Sequence, residues 1–346
     1  MKKIKQNYRA WLVQKNEFPK DGVLRDQLKF FVNYAVLAPS GHNTQPWKFQ
    51  IKNTGIDLFV DMLRALPKSD VNHRQTLISL GCALENFLIA ADYFGFGCEV
   101  EYFPTSQQEI VARVECSKRV AVGKKGDHLL DYIPKRWTDR HQYSKTPIEE
   151  PIIHSFKNFV FEDIQIDFVG WDQKEKMNVI ADKAVEAGIV AMHSNGFRDE
   201  LSQYVKPSST DSTVGMPGHT LGVPALMSFF LPTMIKRFNM AQVNKMKDTS
   251  LLKKHTPVFG IISTKDDTHR AWVKAGQCFE RIFLEAGRYG LHVAPLAAIV
   301  QTGEYYKDLQ KILRISMRPQ VFFRMGYSKR QPVHSPRIMG WEVVGK

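Results

Sequence analysis

The sequence lacks the short motifs that mark the commonest nucleotide, metal and hydrolase sites. No Gly-x-Gly-x-x-Gly or Gly-x-x-x-x-Gly-Lys-[Ser/Thr] segment is present, so neither a Rossmann nor a P-loop site is indicated. The 11 histidines show no His-Glu-x-x-His spacing, and we expect no metal site. No Gly-x-Ser-x-Gly elbow is present either, which leaves a serine hydrolase without support.

Cysteine is scarce, with four residues in 346: Cys82, Cys98, Cys116 and Cys278. None of them forms a Cys-x-x-Cys pair, and none lies in a cluster with metal-ligand spacing. Two lie in apolar helical stretches, where cysteine usually acts as a small core residue. We therefore expect a reducing compartment, a cytoplasmic location and no disulfide framework.

Long apolar runs are also missing. The longest, Leu221 to Ile235, contains Pro224 and Pro232 and is shorter than the roughly 20 residues that a membrane span needs. The segment Met1 to Lys20 has no apolar core of the kind found in secretory signals. We expect no membrane span. The apolar run is interpreted as a buried or lid-forming helix, and the alternative is a surface that touches a membrane or another apolar partner.

The composition that remains is that of an ordinary globular protein. Hydrophobic residues make up 43% of the chain and charged residues 24%. The formal net charge is +13, but the lysines and arginines are scattered rather than gathered into a block. A basic surface of this kind favours anionic partners in general, and no dedicated nucleic-acid binding is expected.

Hydrophobic periodicity and turn residues predict a mixture of helices and strands. Apolar residues at helical spacing predict helices over residues 26–37, 77–94, 177–191 and 272–289. Strands are predicted over residues 47–51, 56–61, 98–103, 110–115, 258–263, 320–326 and 341–344. The basic, glycine-containing stretch 118–127 is interpreted as a linker, and the stretch 208–222, rich in Ser, Thr, Gly and Pro, as a loop.

Two of the predicted helices carry the same residues in the same register. Gly81-x3-Glu85-x5-Ala91-x3-Gly95 recurs as Gly276-x3-Glu280-x5-Ala286-x3-Gly290, and the apolar positions between these residues also match. Amphipathic helices share apolar spacing by chance, but shared Gly and Glu positions are harder to obtain in that way. The pattern therefore predicts an internal duplication.

The segment Ala38 to Trp47 is the most specific in the chain. It follows a predicted helix that ends before Pro39, and it places a hydroxyl, an imidazole and two amides within a few residues: Ser40, His42, Asn43 and Gln45. Such a loop can offer hydrogen bonds to a planar polar heterocycle. The simpler alternative is that these side chains only satisfy turn hydrogen bonds.

This segment resembles the loop of the nitroreductase-like FMN oxidoreductases, which has the form Pro-Ser-x-x-Asn-x-Gln-Pro-Trp. The matching residues are Pro39, Ser40, Asn43, Gln45, Pro46 and Trp47. The His-Asn-Thr-Gln version and the chain length look most like the Acg-type branch, in which two nitroreductase halves are fused. The resemblance implies an α+β nitroreductase-like fold, made of two half-copies, that binds FMN.

Three further segments resemble this family. Arg136, Thr138 and Arg140 match the segment that grips the FMN phosphate, although Thr138 stands where the family usually has Ser. The late Arg337 resembles a second phosphate ligand. The segment 290–296 resembles the chain that runs along the flavin edge, and the resemblance implies contacts from Leu291, Pro295 and Leu296 as well as from backbone N–H groups.

Together these segments make one complete family site, so the resemblance implies one FMN in a pseudo-dimer that need not dimerise further. We expect a first half over residues 1–125 and a second over 126–346, with a lid insertion at about 195–255. The expected activity is a flavin-dependent transfer of electrons from NAD(P)H or another reductant to a small nitro-, quinone- or enone-like acceptor. The alternatives are a protein that sequesters FMN under a lid, and an interaction module without flavin.

Overall fold

A computed structural model describes residues 5–105, 110–119, 129–157, 159 and 161–345. Its helices are α1 (Leu24–Ala35), α2 (Arg74–Tyr93), α3 (Glu150–Lys157), α4 (Lys174–His193), α5 (Asn195–Tyr204), α6 (Ala225–Ser228), α7 (Leu231–Arg237), α8 (Ala241–Lys254), α9 (His269–Arg288), α10 (Ala298–Gln301) and α11 (Tyr305–Leu313). Its strands are β1 (Trp47–Ile51), β2 (Gly55–Val60), β3 (Phe96–Tyr102), β4 (Ile110–Lys118), β5 (Ile164–Gly170), β6 (Val205–Lys206), β7 (Met216–Pro217), β8 (Val258–Thr264), β9 (Leu291–Pro295) and β10 (Arg318–Tyr327). The predicted linker 118–127 lies almost entirely outside the described residues.

Two four-stranded sheets organise the chain. The first has the order β1-β2-β4-β3 and the second the order β5-β8-β10-β9, and every pairing within them is antiparallel. β1 alternates buried and exposed residues because one of its faces packs on the core and the other faces solvent, whereas every residue of β8 is buried because both of its faces are covered. The predicted α+β class is confirmed.

The two helices of the internal repeat pack directly against each other in the core. α2 and α9 cross where Gly81 of one faces Gly276 of the other. A Cβ atom built on Gly81 would lie 2.0 Å from the Val273 carbonyl oxygen, and one on Gly276 would lie 2.0 Å from the Ile78 carbonyl oxygen. The two backbones can approach this closely only because both residues lack a side chain.

Most of the predicted elements are confirmed, with boundaries that differ by a few residues. The prediction of a strand over residues 341–344 is wrong, because a short 3₁₀ helix occupies Gly340–Glu342. The segment runs beside the edge strand β1: Phe49 N–H donates to the Val343 carbonyl at 2.8 Å, and Gly345 N–H donates to the Phe49 carbonyl at 2.8 Å. Trp341 is exposed, so the apolar residues of this segment do not form a buried strand.

The expectation of no disulfide is also wrong. Cys98 and Cys116 are joined by a disulfide between β3 and β4. The two residues stand directly opposite each other in the antiparallel register, with Cα atoms 4.2 Å apart. The expectation of a reducing compartment rested on the missing motif spacing and loses that support. Cys82 and Cys278 remain buried free thiols, as core cysteines do.

The region 195–255 is an assembly of short elements. It contains α5, the parallel pair β6 and β7, a 3₁₀ turn at Gly218–Leu221, and then α6, α7 and α8. Val205, Met216 and Ile235 form a small apolar cluster of its own. The predicted loop 208–222 is mostly irregular, as expected, apart from β7 and the turn. Among the described residues, no helix is long and apolar enough to cross a membrane.

The helix crossing gives a first prediction. Gly276→Ala places a methyl group against the backbone of α2, so the helices must separate and the free energy of unfolding falls by at least about 2 kcal/mol. Gly188→Ala is the matched control, because Gly188 lies in α4 and an added Cβ meets nothing within 4 Å. Urea unfolding followed by circular dichroism measures both. Equal stability of the two variants would contradict the crossing.

Candidate functional site

The loop that carries the most specific motif has an unusual backbone. His42, Asn43 and Gln45 have φ angles of 47°, 58° and 55°, in the left-handed region that non-glycine residues seldom adopt. The Ser40 hydroxyl oxygen accepts a hydrogen bond from the Gln45 N–H at 2.9 Å and helps to hold this shape. Strained backbone of this kind persists where its surroundings fix it, and it concentrates at functional sites.

Two amide side chains fasten this loop to distant parts of the chain. Asn43 donates to the Gly215 carbonyl at 2.9 Å and to the Pro336 carbonyl at 3.0 Å. Gln45 donates to the Thr213 carbonyl at 2.7 Å, and its side-chain oxygen accepts from the Ile338 N–H at 2.9 Å. The loop, the insertion and the C-terminal tail therefore meet at one place. Gln45 is fully used in this fastening, which matches the simpler structural interpretation of that residue.

A polar cavity of about 40 Å³ lies at this meeting point. Seven of the site residues predicted from the sequence line it: Pro39, Ser40, Asn43, Arg136, Thr138, Arg140 and Arg337. These residues come from three stretches that are far apart in sequence, and the fold brings them together. The cavity has room for a small ionic group and is too small for a whole flavin nucleotide.

The cavity carries concentrated positive charge. Burial, reinforced by the neighbouring Arg136, holds the pKa of Arg337 well below its usual range. Arg140 adds a further positive charge at the solvent-exposed side of the cavity. The Nε atom of Arg337 is buried without a hydrogen-bond partner, and so is Nδ1 of His334, whereas Nε of Arg136 makes no hydrogen bond but faces the carboxylate of Glu280 at 3.5 Å. Buried donors normally have partners, so this set has unused capacity for an anion.

Trp11 and His334 form part of the cavity wall, and sequence reasoning missed both. Their rings stack with centroids 4.1 Å apart, and the Arg337 guanidinium lies 4.8 Å from the Trp11 ring centroid. The Trp11 indole N–H donates to the Ser335 carbonyl at 2.9 Å, which ties the N-terminal segment to the tail. The proximity of His334 to the predicted Arg337 was the available signal. Met216, from the insertion, also lines the cavity and was missed.

A buried carboxylate stands behind Arg136. Glu280 lies on α9 with an Oε1 atom 3.5 Å from Arg136 Nε, and burial raises the Glu280 pKa to about 7 despite the opposing charge of Arg136. In the repeat, Glu280 corresponds to Glu85, which is hydrogen-bonded by Arg281. The residue that corresponds to Arg281 is Asn86, which carries no charge. Glu280 therefore has Arg136 as its cationic neighbour, and the two copies of the repeat differ at this position.

Asp139 fixes the segment of Thr138 and Arg140 against β9. Its Oδ1 accepts from the His141 N–H at 3.0 Å, and its Oδ2 lies 3.2 Å from His292 Nδ1. Burial alone would raise the Asp139 pKa, but hydrogen bonds from His292 and His141 hold it well below its usual range. Thr138 also forms a β-bridge with Val293. The predicted phosphate segment is thus locked to the predicted flavin-edge segment.

A second, apolar cavity of about 380 Å³ lies between the insertion and the second sheet. Predicted residues Pro295 and Leu296 line it together with residues of α4, α5, α8 and α10. His42 lies near the apolar cavity, because its ring is 6.1 Å from that of Phe197, which lines that cavity. A volume of this size is in the range of small-molecule sites.

Two details differ from what the family resemblance implies. Leu291 is buried in β9 opposite Tyr327, and it lines neither cavity. Pro295 has no N–H, and the Leu296 N–H already donates to the Phe322 carbonyl at 2.8 Å. Pro295 and Leu296 therefore offer apolar contact to a ligand rather than backbone donors.

Comparison with known proteins supports the resemblance that the motifs indicate. A Mycobacterium tuberculosis protein named "Putative NAD(P)H nitroreductase acg" is 23% identical over 333 residues, which cover 92% of this chain and 95% of that protein. A second protein of the same organism, named only as uncharacterized, is 25% identical over 307 residues and covers 86% of each chain. No family model matches the sequence.

Solved structures with a related arrangement were also found. The FMN-dependent nitroreductase NfnB from Mycobacterium smegmatis, in complex with NADPH, has 12% identity and a TM-score of 0.37 over 59% of this chain and 92% of its own. An FMN- and NADPH-dependent NfnB from a Sphingopyxis strain has 14% identity and a TM-score of 0.41 over 63% of this chain and 98% of its own.

The buried imidazole of His42 gives a prediction for pH dependence. Burial lowers the His42 pKa to about 4, so the folded protein holds this side chain neutral. A lowered pKa contributes stability that is present above the unfolded value near 6.5 and is lost as the pH falls through about 4. His42→Asn removes the titration and suits the left-handed backbone. The fall in unfolding free energy between pH 7 and 4 is therefore smaller in this variant, by about 1–3 kcal/mol.

Chemical denaturation at pH 7, 5.5 and 4 measures this difference. His193→Asn, at an exposed position at the end of α4, controls for the loss of a histidine. Glu280, whose pKa is raised, acts in the opposite direction in all of these proteins and cancels in the comparison. If His42→Asn followed the wild-type pH profile, the imidazole would not be held neutral by the fold.

Proposed function

We propose that this protein is an FMN-dependent oxidoreductase of nitroreductase type. The observation that carries the proposal is the polar cavity, in which Arg136, Arg140 and Arg337 meet the loop 39–47. A larger apolar cavity is lined by Pro295 and Leu296, in the segment whose Val293 bridges to Thr138. A ligand with an anionic group at one end and an apolar ring system at the other suits this combination. FMN has both parts.

The polar cavity fits the phosphate of such a nucleotide. Arg337 holds a buried Nε donor without a partner, and a planar guanidinium matches the oxygens of a phosphate. The Thr138 and Ser40 hydroxyls line the same space and can add neutral hydrogen bonds. An anion bound here would also raise the pKa of His334, which burial and the Arg136 charge now lower to about 4.

The apolar cavity suits a ring system and a small electron acceptor. Pro295 and Leu296 form one wall from the second sheet, and Phe197 and Leu201 form another from the insertion. When bound, FMN would supply the electron-transfer chemistry, while this chain binds it, orients it and excludes water. Lys245 and Asp248 are the charged residues that line this cavity, and they can orient a polar group of the acceptor.

The relatives bear on the source of electrons. The M. tuberculosis relative is named as a nitroreductase that uses NAD(P)H, and its alignment covers almost all of both chains. We infer that NADH or NADPH reduces this protein as well, and that a small nitro-, quinone- or enone-like molecule accepts the electrons. The acceptor within this class is set by the shape of the apolar cavity.

We also propose one FMN for each chain, held between two fused halves over residues 1–125 and 126–346. The insertion at about 195–255 then acts as a lid. It supplies Met216 to the polar cavity and residues of α5 and α8 to the apolar cavity. Its first part is held in place by Asn43 and by Asn7, which donates to the Ser212 carbonyl at 2.9 Å.

The first experiment measures the visible absorption of the purified protein, loaded with FMN, before and after anaerobic addition of NADPH. We expect one flavin for each chain and a rapid loss of the flavin band. A band that persists with both NADPH and NADH would favour sequestration of FMN over turnover. Failure to bind FMN, or a ratio of two flavins to one chain, would contradict the proposed site.

The role of the arginines is tested by comparing FMN with riboflavin, which lacks the phosphate. Arg337→Met should weaken FMN binding by at least about tenfold, because a charge-assisted phosphate contact is lost, while riboflavin binding changes little. Arg337→Lys keeps the charge and should recover part of the difference. Arg25→Met, at an exposed position on α1, is the control. Equal losses for FMN and riboflavin would show a structural role for Arg337 instead of phosphate binding.

A further inference from the structure

The helices α6 and α7 present an apolar surface to solvent. Leu226 is 76% exposed and Phe230 is 63% exposed, and Met227 and Phe229 are also exposed beside them. Side chains with most of their area in solvent protrude from the molecule and do not line a groove. Isolated exposed apolar residues are common, but four within five consecutive positions are unusual for a soluble surface.

The protruding residues stand on a well-anchored base. Ser228 is fully buried between them, and its hydroxyl accepts a hydrogen bond from the Ser208 N–H at 2.9 Å. Ile235 of α7 is buried in the small cluster with Val205 and Met216. The fold therefore buries one face of this segment against the rest of the insertion and leaves the apolar side chains of the other face in solvent.

The charged residues within this segment all have one sign, and the nearest acidic residues in sequence, Asp211 and Asp248, lie just outside it. From Ser212 to Lys247 the sequence contains no Asp or Glu, while it contains the cations Lys236, Arg237, Lys245 and Lys247. All four are exposed. The chain as a whole carries a net charge of +13, so the surroundings reinforce this local excess.

We propose that the surface formed by residues 224–247 docks on an anionic lipid bilayer. Protruding aromatic and aliphatic side chains next to lysine and arginine are the combination that places a segment in the interface of a membrane without crossing it. The apolar side chains enter the region between headgroups and acyl chains, and the cations pair with anionic headgroups. Among the described residues no helix could span a bilayer, so the docking is peripheral.

Charge favours a bilayer over a second copy of this chain. A symmetric dimer through this surface would bring two sets of four cations together without any acidic residue of the segment to pair with them. An anionic bilayer supplies the missing negative charge and an apolar layer at the same time. The inference does not depend on the proposed flavin chemistry.

The test is co-sedimentation of the full-length protein with vesicles. We expect binding to vesicles of phosphatidylcholine mixed with phosphatidylglycerol, and at least about tenfold weaker binding to phosphatidylcholine alone. Raising the salt to about 0.5 M should weaken the binding, since it screens the headgroup attraction. No binding to the anionic vesicles, or equal binding to both compositions, would overturn the proposal.

Two pairs of variants assign the binding to this surface. Phe229→Ser with Phe230→Ser should reduce binding to anionic vesicles by at least about tenfold. Leu63→Ser with Val71→Ser is the matched control, because these side chains are 90% and 77% exposed elsewhere on the molecule. The double variant Lys236→Gln with Arg237→Gln should also weaken binding to anionic vesicles. Lys311→Gln with Arg314→Gln removes the same charge elsewhere and is the control, and it should weaken binding less.

Circular dichroism checks that each variant folds. We expect all of them to fold, because the substituted side chains are exposed. Unchanged vesicle binding by the Phe229 and Phe230 double variant would overturn the assignment to this surface. Analytical ultracentrifugation of the wild type distinguishes a bilayer from a second copy of the chain as the occupant of this surface. A dimer that forms in the absence of lipid and is lost in the same double variant would replace the bilayer with a second copy as the occupant.

Discussion

The close crossing of α2 and α9 is the contact on which the rest of the structure depends. Gly81 and Gly276 let the two backbones touch, so the two sheets share one core instead of forming separate domains. The shared core brings the loop 39–47, from the first part of the chain, against Arg136 and Arg337 from the second. Without this approach the residues of the polar cavity would not meet.

The polar cavity shows how the fold keeps positive charge out of bulk water. Backbone carbonyl groups do much of this work: Arg136 donates to the Leu37 carbonyl, and Arg337 donates to the Ala38 carbonyl at 3.2 Å. These contacts leave the Nε donor of Arg337 without a hydrogen-bond partner. Holding like charges together in a buried space costs free energy, and a bound anion recovers it, so binding of the ligand and stability of the fold are linked.

Sequence was most informative where the relevant contacts are local. The segment 38–47 could be recognised from its own residues, and Arg136 and Arg337 from short motifs. The Cys98–Cys116 disulfide could not, because spacing does not reveal that β3 and β4 place these residues opposite each other. Trp11 and Glu280 reach the site through tertiary packing alone, and residues 341–344 were mistaken for a strand because apolar composition does not distinguish a strand from an irregular edge segment.

The disulfide between β3 and β4 has a consequence for limited proteolysis. Its two cysteines flank the connection between the strands, with a sequence separation of 18. A protease that cuts once between Tyr102 and Ile110 would leave both fragments covalently joined, and the sheet register would still be held by the remaining ladder. Such a nick would be invisible on a non-reducing gel and would appear as two bands only after reduction, so the apparent size on a non-reducing gel does not report an intact backbone.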